Sequence, residues 1–333
     1  MKRNKLLKKF MVISIILAVC ISMVACSSGQ QSAKQQNQSA QPKEQGQKKI
    51  LIAFSQGTMN HPFRIAMVER NKEYAEKNYP DVEFIATDGQ NTSSKQVADV
   101  EDLIAKKPNV LIVSPLTEAA LTPPVQKAMD MGIPVVTLDR KVNTKVTCHI
   151  GAKNYPMGVK AAEFIAKALN GKGNIIEIQG TAGASATVER DKGFRDTIAK
   201  YPDMKIIADQ YCDYVREPAM KFMEDMLQRF PKGQIQAIYS HNDAMAMAAI
   251  EAIKAAGRMD EIKVITGMDG ENLAFDSIKK GELTATIIYP YCAPEGVQYA
   301  YKIAKGEKVP EEVVLEGDLV TKENVDKYIG KGI

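Results

Sequence analysis

One phrase occurs twice in this chain, and it constrains the fold more than any other feature. Pro134–Arg140 reads P-V-V-T-L-D-R, and Lys263–Asp269 reads K-V-I-T-G-M-D. Each is an apolar, β-branched run that favours a strand. Each lacks polar alternation, the mark of a strand buried on both faces of a parallel sheet. Each then runs into an aspartate, Asp139 or Asp269. Upstream of each lies a matching strand phrase, V-L-I-V-S at Val110–Ser114 and A-I-Y-S at Ala237–Ser240, with a helical stretch between. In open α/β sheets ligands bind beyond the carboxyl ends of the strands. The chain therefore reads as two similar α/β units, each presenting a carboxylate at its sheet edge, with a cleft between them.

The alternation of elements supports this. Strands are expected at Ile50–Phe54, Val82–Ala86, Val110–Val113 and Pro134–Leu138, then Asn174–Ile178, Lys205–Ala208, Ala237–Tyr239, Lys263–Thr266 and Thr284–Ile288. Helices are expected from Pro62 to about Asn78, from Ser93 or Ser94 to about Lys106, and over Thr122–Met131. Further ones are expected over Thr187–Lys200, Glu217–Arg229, Ala244–Ala256, Asn272–Lys280 and Ala293–Lys305. Strands and helices joined by short loops make βαβ units and parallel sheets.

The first 49 residues are of another kind. Residues 1–25 carry Lys2, Arg3, Lys5, Lys8 and Lys9, no acid, and an apolar core from Phe10 to about Val19. This is the pattern of an export signal, and the core is short for a membrane span of ~20 apolar residues. Met23–Gly29 (M-V-A-C-S-S-G) resembles the bacterial lipoprotein cleavage box, which makes Cys26 the expected lipid-attachment site. Residues 26–49, rich in Gln, Ser and Lys, then form a flexible tether. The mature protein is expected outside the cytoplasmic membrane, held there by lipid.

Charge excludes one class of partner. The formal net charge is +4, but removing the five signal cations from the 44 basic residues leaves 39 against 40 acids. Nothing in that balance favours nucleic acid. Cys148, Cys212 and Cys292 are an odd number, better read as buried free thiols than as one disulfide. No cysteine or histidine spacing suggests a metal. The Gly-rich turn Gly180–Ser185 lacks the Lys-Ser/Thr of a phosphate loop, and no cofactor is expected.

Five ordered motifs carry a specific resemblance. They are Ser55–Phe63, Ile133–Arg140, Glu177–Phe194, His241–Met245 and Gly267–Gly270. Over about Ile50 to Val320 the chain resembles the ribose-type sugar-binding proteins of bacterial ABC importers, within the type I periplasmic binding proteins. The resemblance implies two Rossmann-like lobes joined by a three-strand hinge, with crossings near Ala152–Asn154, Tyr289–Tyr291 and Leu315–Gly317. It implies an N-terminal lobe of residues 50–152 plus 291–315 and a C-terminal lobe of 153–290 plus 316–333. It also implies a monomer without enzymatic activity that closes on one monosaccharide and delivers it to an ABC permease. A sensor presenting the closed form to a receptor fits the same residues.

A sugar's hydroxyls both donate and accept, so a dry site needs fixed charged partners and aromatic faces for the C–H patches. The resemblance assigns ligand contact to Phe63, Ser114, Asp139, Arg140, Arg190, Tyr214, Asn242 and Asp269. Read alone, Arg190 would be a solvated helix face and Asn242 a helix cap. The chain departs from the ribose-type pattern at His61, Arg64, Met268 and Tyr289, where that pattern has Asn, Phe, Phe and Gln. Of these, His61, Arg64 and Tyr289 join the candidate site. Arg64 is expected to favour a hexose in furanose form or a polyol over ribose. The alternative is an outward-turned Arg64 paired with Glu69.

Overall fold

The structure is a computed structural model of the chain, and it describes residues 49–333. Cys26, the export signal and nearly all of the tether lie outside the described residues. The described chain alternates strand and helix almost throughout: β1 (Ile50–Gln56), α1 (Pro62–Asn78), β2 (Val82–Asp88), α2 (Ser93–Ala105), β3 (Val110–Ser114), α3 (Glu118–Asp130), β4 (Val135–Leu138) and β5 (Cys148–Gly151) build the first unit. The second comprises α4 (Asn154–Ala168), β6 (Lys172–Gln179), α5 (Ser185–Ile198), β7 (Asp203–Tyr211), α6 (Arg216–Arg229), β8 (Ala237–Ser240), α7 (Asp243–Ala255), β9 (Val264–Asp269), α8 (Asn272–Lys280) and β10 (Ala285–Ile288). Then follow α9 (Glu295–Ala304), β11 (Glu312–Val314) and β12 (Leu319–Thr321).

These strands form two six-stranded sheets of the same order, β2-β1-β3-β4-β5-β11 and β7-β6-β8-β9-β10-β12. The first is parallel throughout, and the second ends in the antiparallel pair β10–β12. The twofold repetition read from the strand-to-aspartate phrases is thus a repetition of whole sheets. Strands β3, β4, β8 and β9 are buried at every position, as their unbroken apolar runs require.

The chain crosses between the sheets three times, at residues 152–153, 289–294 and 315–318. The last crossing divides β11 from β12, so the final strands close one sheet each. Helix α9 packs on α1 and the first sheet, and α4 packs along α5.

Three differences from the sequence reading have physical causes. Helix α3 begins a turn before Thr122 and holds Pro123 and Pro124 inside it. The Thr122 hydroxyl donates to the Glu118 carbonyl at 2.7 Å in that extra turn. Helix α4 is not among the expected helices, and it contains Pro156 and Gly158. Pro156 sits in the first turn, where its missing N–H costs nothing. Gly158 serves packing: a Cβ there would collide with the Arg190 carbonyl, and one on Gly193 would collide with that of Tyr155. The two glycines let α4 and α5 touch backbone to backbone. Strands β5, β11 and β12 are too short to announce themselves. The three cysteines of the folded region are free and buried.

Candidate functional site

The carboxyl ends of β4 and β9 face one small cavity lined by His61, Phe63, Arg64, Asp139, Ala186, Arg190, Tyr214, Asp269 and Tyr289. Across its mouth the rims meet. Glu118 N–H donates to the Gly183 carbonyl at 3.1 Å, and Lys141 N–H to the Ser185 hydroxyl at 2.8 Å.

Both aspartates sit in backbone conformations that side chains other than glycine's rarely adopt, with φ of 63° at Asp139 and 127° at Asp269. Such conformations cost energy and persist where the surroundings hold them. In the first lobe the Asp139 amide is fixed by the Ile150 carbonyl at 2.8 Å on the neighbouring strand β5. The strand end then turns the carboxylate inward, leaving it 2% exposed.

Arg64 reaches this carboxylate from the first turn of α1. Its Nη2 lies 2.5 Å from Asp139 Oδ2, and its Nη1 donates to the Ser114 hydroxyl at 2.8 Å. The residue is 4% exposed and turned inward, away from the pairing with Glu69. The Tyr289 hydroxyl donates to Asp139 Oδ1 at 2.5 Å. Burial pushes the Asp139 carboxyl up, yet the guanidiniums of Arg64 and Arg140 outweigh it and hold the group below its ordinary range. Arg140 itself is drawn down to about 10 by burial and by Arg64.

Asp269 is the opposite case. Among the described residues its carboxylate has no hydrogen-bond partner, and burial together with Asp243 pushes it well above the usual range. Arg190 faces it from α5. The Arg190 Nε donates to Asn154 Oδ1 at 2.9 Å, and its Nη1 to the His241 carbonyl at 2.7 Å. Its guanidinium stands 4.4 Å from the centre of the Tyr289 ring. Arg190 is buried, so the solvated-face reading fails. Charges at the strand ends and the close α4–α5 contact draw it inward.

Aromatic faces complete the walls. His61 lies parallel to Phe63 with ring centres 6.3 Å apart, and Phe63 meets Tyr289 at 5.4 Å. Burial and then Arg64 hold His61 well below its ordinary range, so the ring is neutral. Neither of its nitrogens has a hydrogen-bond partner, and the same is true of Arg64 Nε, Asp139 Oδ2 outside its ion pair with Arg64, Arg140 Nε and Nη2, and the Thr181 hydroxyl. Buried polar groups left unpaired are rare and mark places where partners are supplied from elsewhere.

Three predicted residues stand behind the walls. Ser114 holds Arg64. Arg140 Nη1 donates to the Leu116 carbonyl at 2.8 Å, and its guanidinium stacks 5.4 Å from Tyr214. Asn242 is the cap of α7, accepting from Met245 N–H at 2.9 Å while its amide donates to the Tyr214 carbonyl at 3.2 Å. Met268 is buried in the core. Neighbouring Asp243 is structural, accepting from the Gly270 and Glu271 amides and the Thr286 hydroxyl. Sequence reasoning missed Ala186, small enough to leave the cavity open, and Asn154, whose role depends on a helix it did not foresee. Gly180 was read only as a tight turn. A Cβ there would collide with the Tyr214 ring, so the glycine seats that ring.

Comparison with known proteins decides the family. The periplasmic binding protein domain matches residues 52–308. The chain belongs to the periplasmic binding protein family. Among family members, the ribose import binding protein of Bacillus subtilis is 36% identical over 278 residues, covering 83% of this chain and 86% of that one. The galactofuranose-binding protein of Escherichia coli is 30% identical over 274 residues, covering 80% and 86%. A solute binding protein of an ABC transporter from Bacillus halodurans, solved with bound myo-inositol, superposes with a TM-score of 0.80 at 30% identity, covering 86% and 99%. Like those periplasmic binding proteins, this one is built from two parallel-sheet α/β lobes. Among its described residues no helix is long and apolar enough to cross a membrane.

Proposed function

We propose that this protein is the substrate-binding component of an ABC sugar importer, closing its lobes on one monosaccharide or polyol for delivery to a permease. The observation that carries the reading is the convergence of unpaired buried polar atoms and aromatic faces on one closed cavity. Asp269 offers an acceptor with no protein donor among the described residues, while Arg64, Arg190 and His61 offer the complementary groups. Hydroxyls supply both kinds of partner on one small frame. The groups stand on both lobes, so a ligand touching all of them favours the closed form over the open one. Relatives named for ribose and galactofuranose binding, and a solute binding protein solved with bound myo-inositol, support the ligand class.

Arg64 narrows the class. A planar set of donors beside Phe63 replaces a second stacking face. A furanose hexose with a hydroxylated tail, or a polyol, places more oxygens there than a compact pentose ring. A thermal-shift panel of ribose, galactose, arabinose, glucose, xylitol, myo-inositol and a galactofuranose source tests this. The largest shift is expected from a furanose or polyol. Arg64→Lys, which keeps the charge but loses the fork, reduces that shift selectively. Ribose giving the largest shift in the parent overturns the preference, and no shift from any of them overturns the sugar reading.

The anchoring reading rests on Met23–Gly29 alone. Cys26→Ser is expected to abolish fatty-acid labelling and detergent partitioning in cells. Labelling equal to the parent's removes Cys26 as the anchor.

A further inference from the structure

Behind the cavity, the C-terminal lobe holds a buried chain of hydrogen bonds that the binding reading does not use. Glu177 is fully buried near the end of β6. Its Oε2 accepts from Arg195 Nη2 at 2.8 Å, and its Oε1 lies 3.1 Å from His241 Nε2. His241 is fully buried as well, and its other ring nitrogen, Nδ1, accepts from the Gly180 N–H at 3.3 Å. A backbone N–H only donates, so Nδ1 carries a lone pair. The ring proton therefore sits on Nε2 and is donated to Glu177. Both oxygens of Glu177 accept, as an ionised carboxylate does.

The far end of this chain is on the surface. The Arg195 side chain is 40% exposed and also binds Asp191 at 2.5 Å and Asp209 at 2.6 Å. Among the described residues it is the cation in contact with Glu177. Asp191 and Asp209 face the same carboxylate from α5 and β7, and the Tyr239 ring packs between Phe194 and His241. Burial and Asp191 push Glu177 well above its usual range, and Arg195 pulls it back. The near end is the cavity. The His241 carbonyl receives Arg190 at 2.7 Å, and the Gly180 turn seats the Tyr214 ring.

We propose that Arg195 is a positioning residue for the cavity, acting from the outer surface by fixing the charge of Glu177 and, through it, the tautomer of His241. Without Arg195, Glu177 takes one proton from solvent. Its O–H then donates to Nε2, and the ring proton moves from Nε2 to Nδ1. An N–H on Nδ1 meets the N–H of Gly180 donor to donor. The 180–185 turn withdraws, and Tyr214 and Arg190 lose their backing. The tautomer steps stand on the fold alone. Only the last step rests on the reading of the cavity as a sugar site.

The chain has three histidines, His61, His149 and His241, so ¹⁵N-histidine labelling of the full chain gives an assignable spectrum. At pH 8 the parent is expected to show His241 protonated on Nε2, Arg195→Lys the same, and Arg195→Gln protonated on Nδ1 with folded-protein dispersion retained. Whichever sugar of the thermal-shift panel binds the parent best should bind Arg195→Gln about tenfold more weakly, the scale of one lost charged hydrogen bond, and Arg195→Lys nearly as the parent. An unchanged tautomer in Arg195→Gln overturns the proposal, and so does a changed tautomer with unchanged affinity. If no panel sugar binds the parent, the sugar reading fails while the tautomer result still decides whether Arg195 controls His241.

Discussion

Asp139 and Asp269 end corresponding strands of two sheets with the same strand order, and they have opposite electrical fates. Asp139 is paired: Tyr289 donates to one oxygen and the Arg64 guanidinium forms an ion pair with the other, so the carboxylate is kept charged. Asp269 has no donor among the described residues and is pushed toward its neutral form. The repeated phrase fixes where a carboxylate stands. Its neighbours decide whether it supports other side chains or remains open to a ligand. On the function proposed above, Asp139 positions Arg64 and Tyr289 for the cavity, while Asp269 is the carboxyl left to meet ligand hydroxyls.

The hardest blow to this contrast is Arg64→Met. It strands a buried charged carboxylate and is expected to cost ~3–5 kcal/mol of stability in urea unfolding. A loss under ~1 kcal/mol would mean that Asp139 does not depend on Arg64. Asp269→Ala should instead act on binding. It leaves ligand hydroxyls without a partner in a desolvated site and is expected to cost ~2–4 kcal/mol of binding by calorimetry, with the unliganded protein still folded. Unchanged affinity removes Asp269 from the site.

The pH dependence of stability separates the two by sign. Asp269 is raised in the folded state, so its contribution is best below the unfolded carboxyl value near ~3.9 and declines as pH rises from there. Asp269→Asn should remove that decline above pH ~4. Asp139 is lowered, so its contribution is present above ~3.9 and lost as pH falls through its folded value. Asp139→Asn should flatten the acid limb instead. The same change in both variants would erase the distinction. Tyr289→Phe gives the smallest effect, about 1 kcal/mol of stability for one hydrogen bond. A larger loss would show that the Tyr289 hydroxyl, and not Arg64 alone, keeps the buried Asp139 carboxylate paired.

Much of this was legible because parallel sheets write themselves as apolar runs and put function at strand ends. Pro134–Arg140 and Lys263–Asp269 gave the repeat, the sheets and both carboxylates from local patterning. What stayed hidden depends on through-space packing. Pro156 and Gly158 look like breakers until α5 is seen pressing on α4, and Asn154 has no role until Arg190 is brought to it. The pairing of Asp139 was equally hidden, since Arg64 and Tyr289 are 225 positions apart in sequence and Tyr289 sits on a crossing between the lobes. Ser114, Arg140 and Asn242 stand at the right strand and helix ends but one layer back, a distinction of a few ångströms that sequence does not carry.

The last crossing has a consequence in time. Strands β11 and β12 fall within residues 312–321 and complete opposite sheets. A chain emerging from its N-terminus keeps an unsealed border on both halves until that short stretch arrives. No single cut in the sequence separates the two sheets cleanly, since the chain crosses between them three times. The same ten residues seal both borders, so neither sheet is complete without a stretch shared with the other.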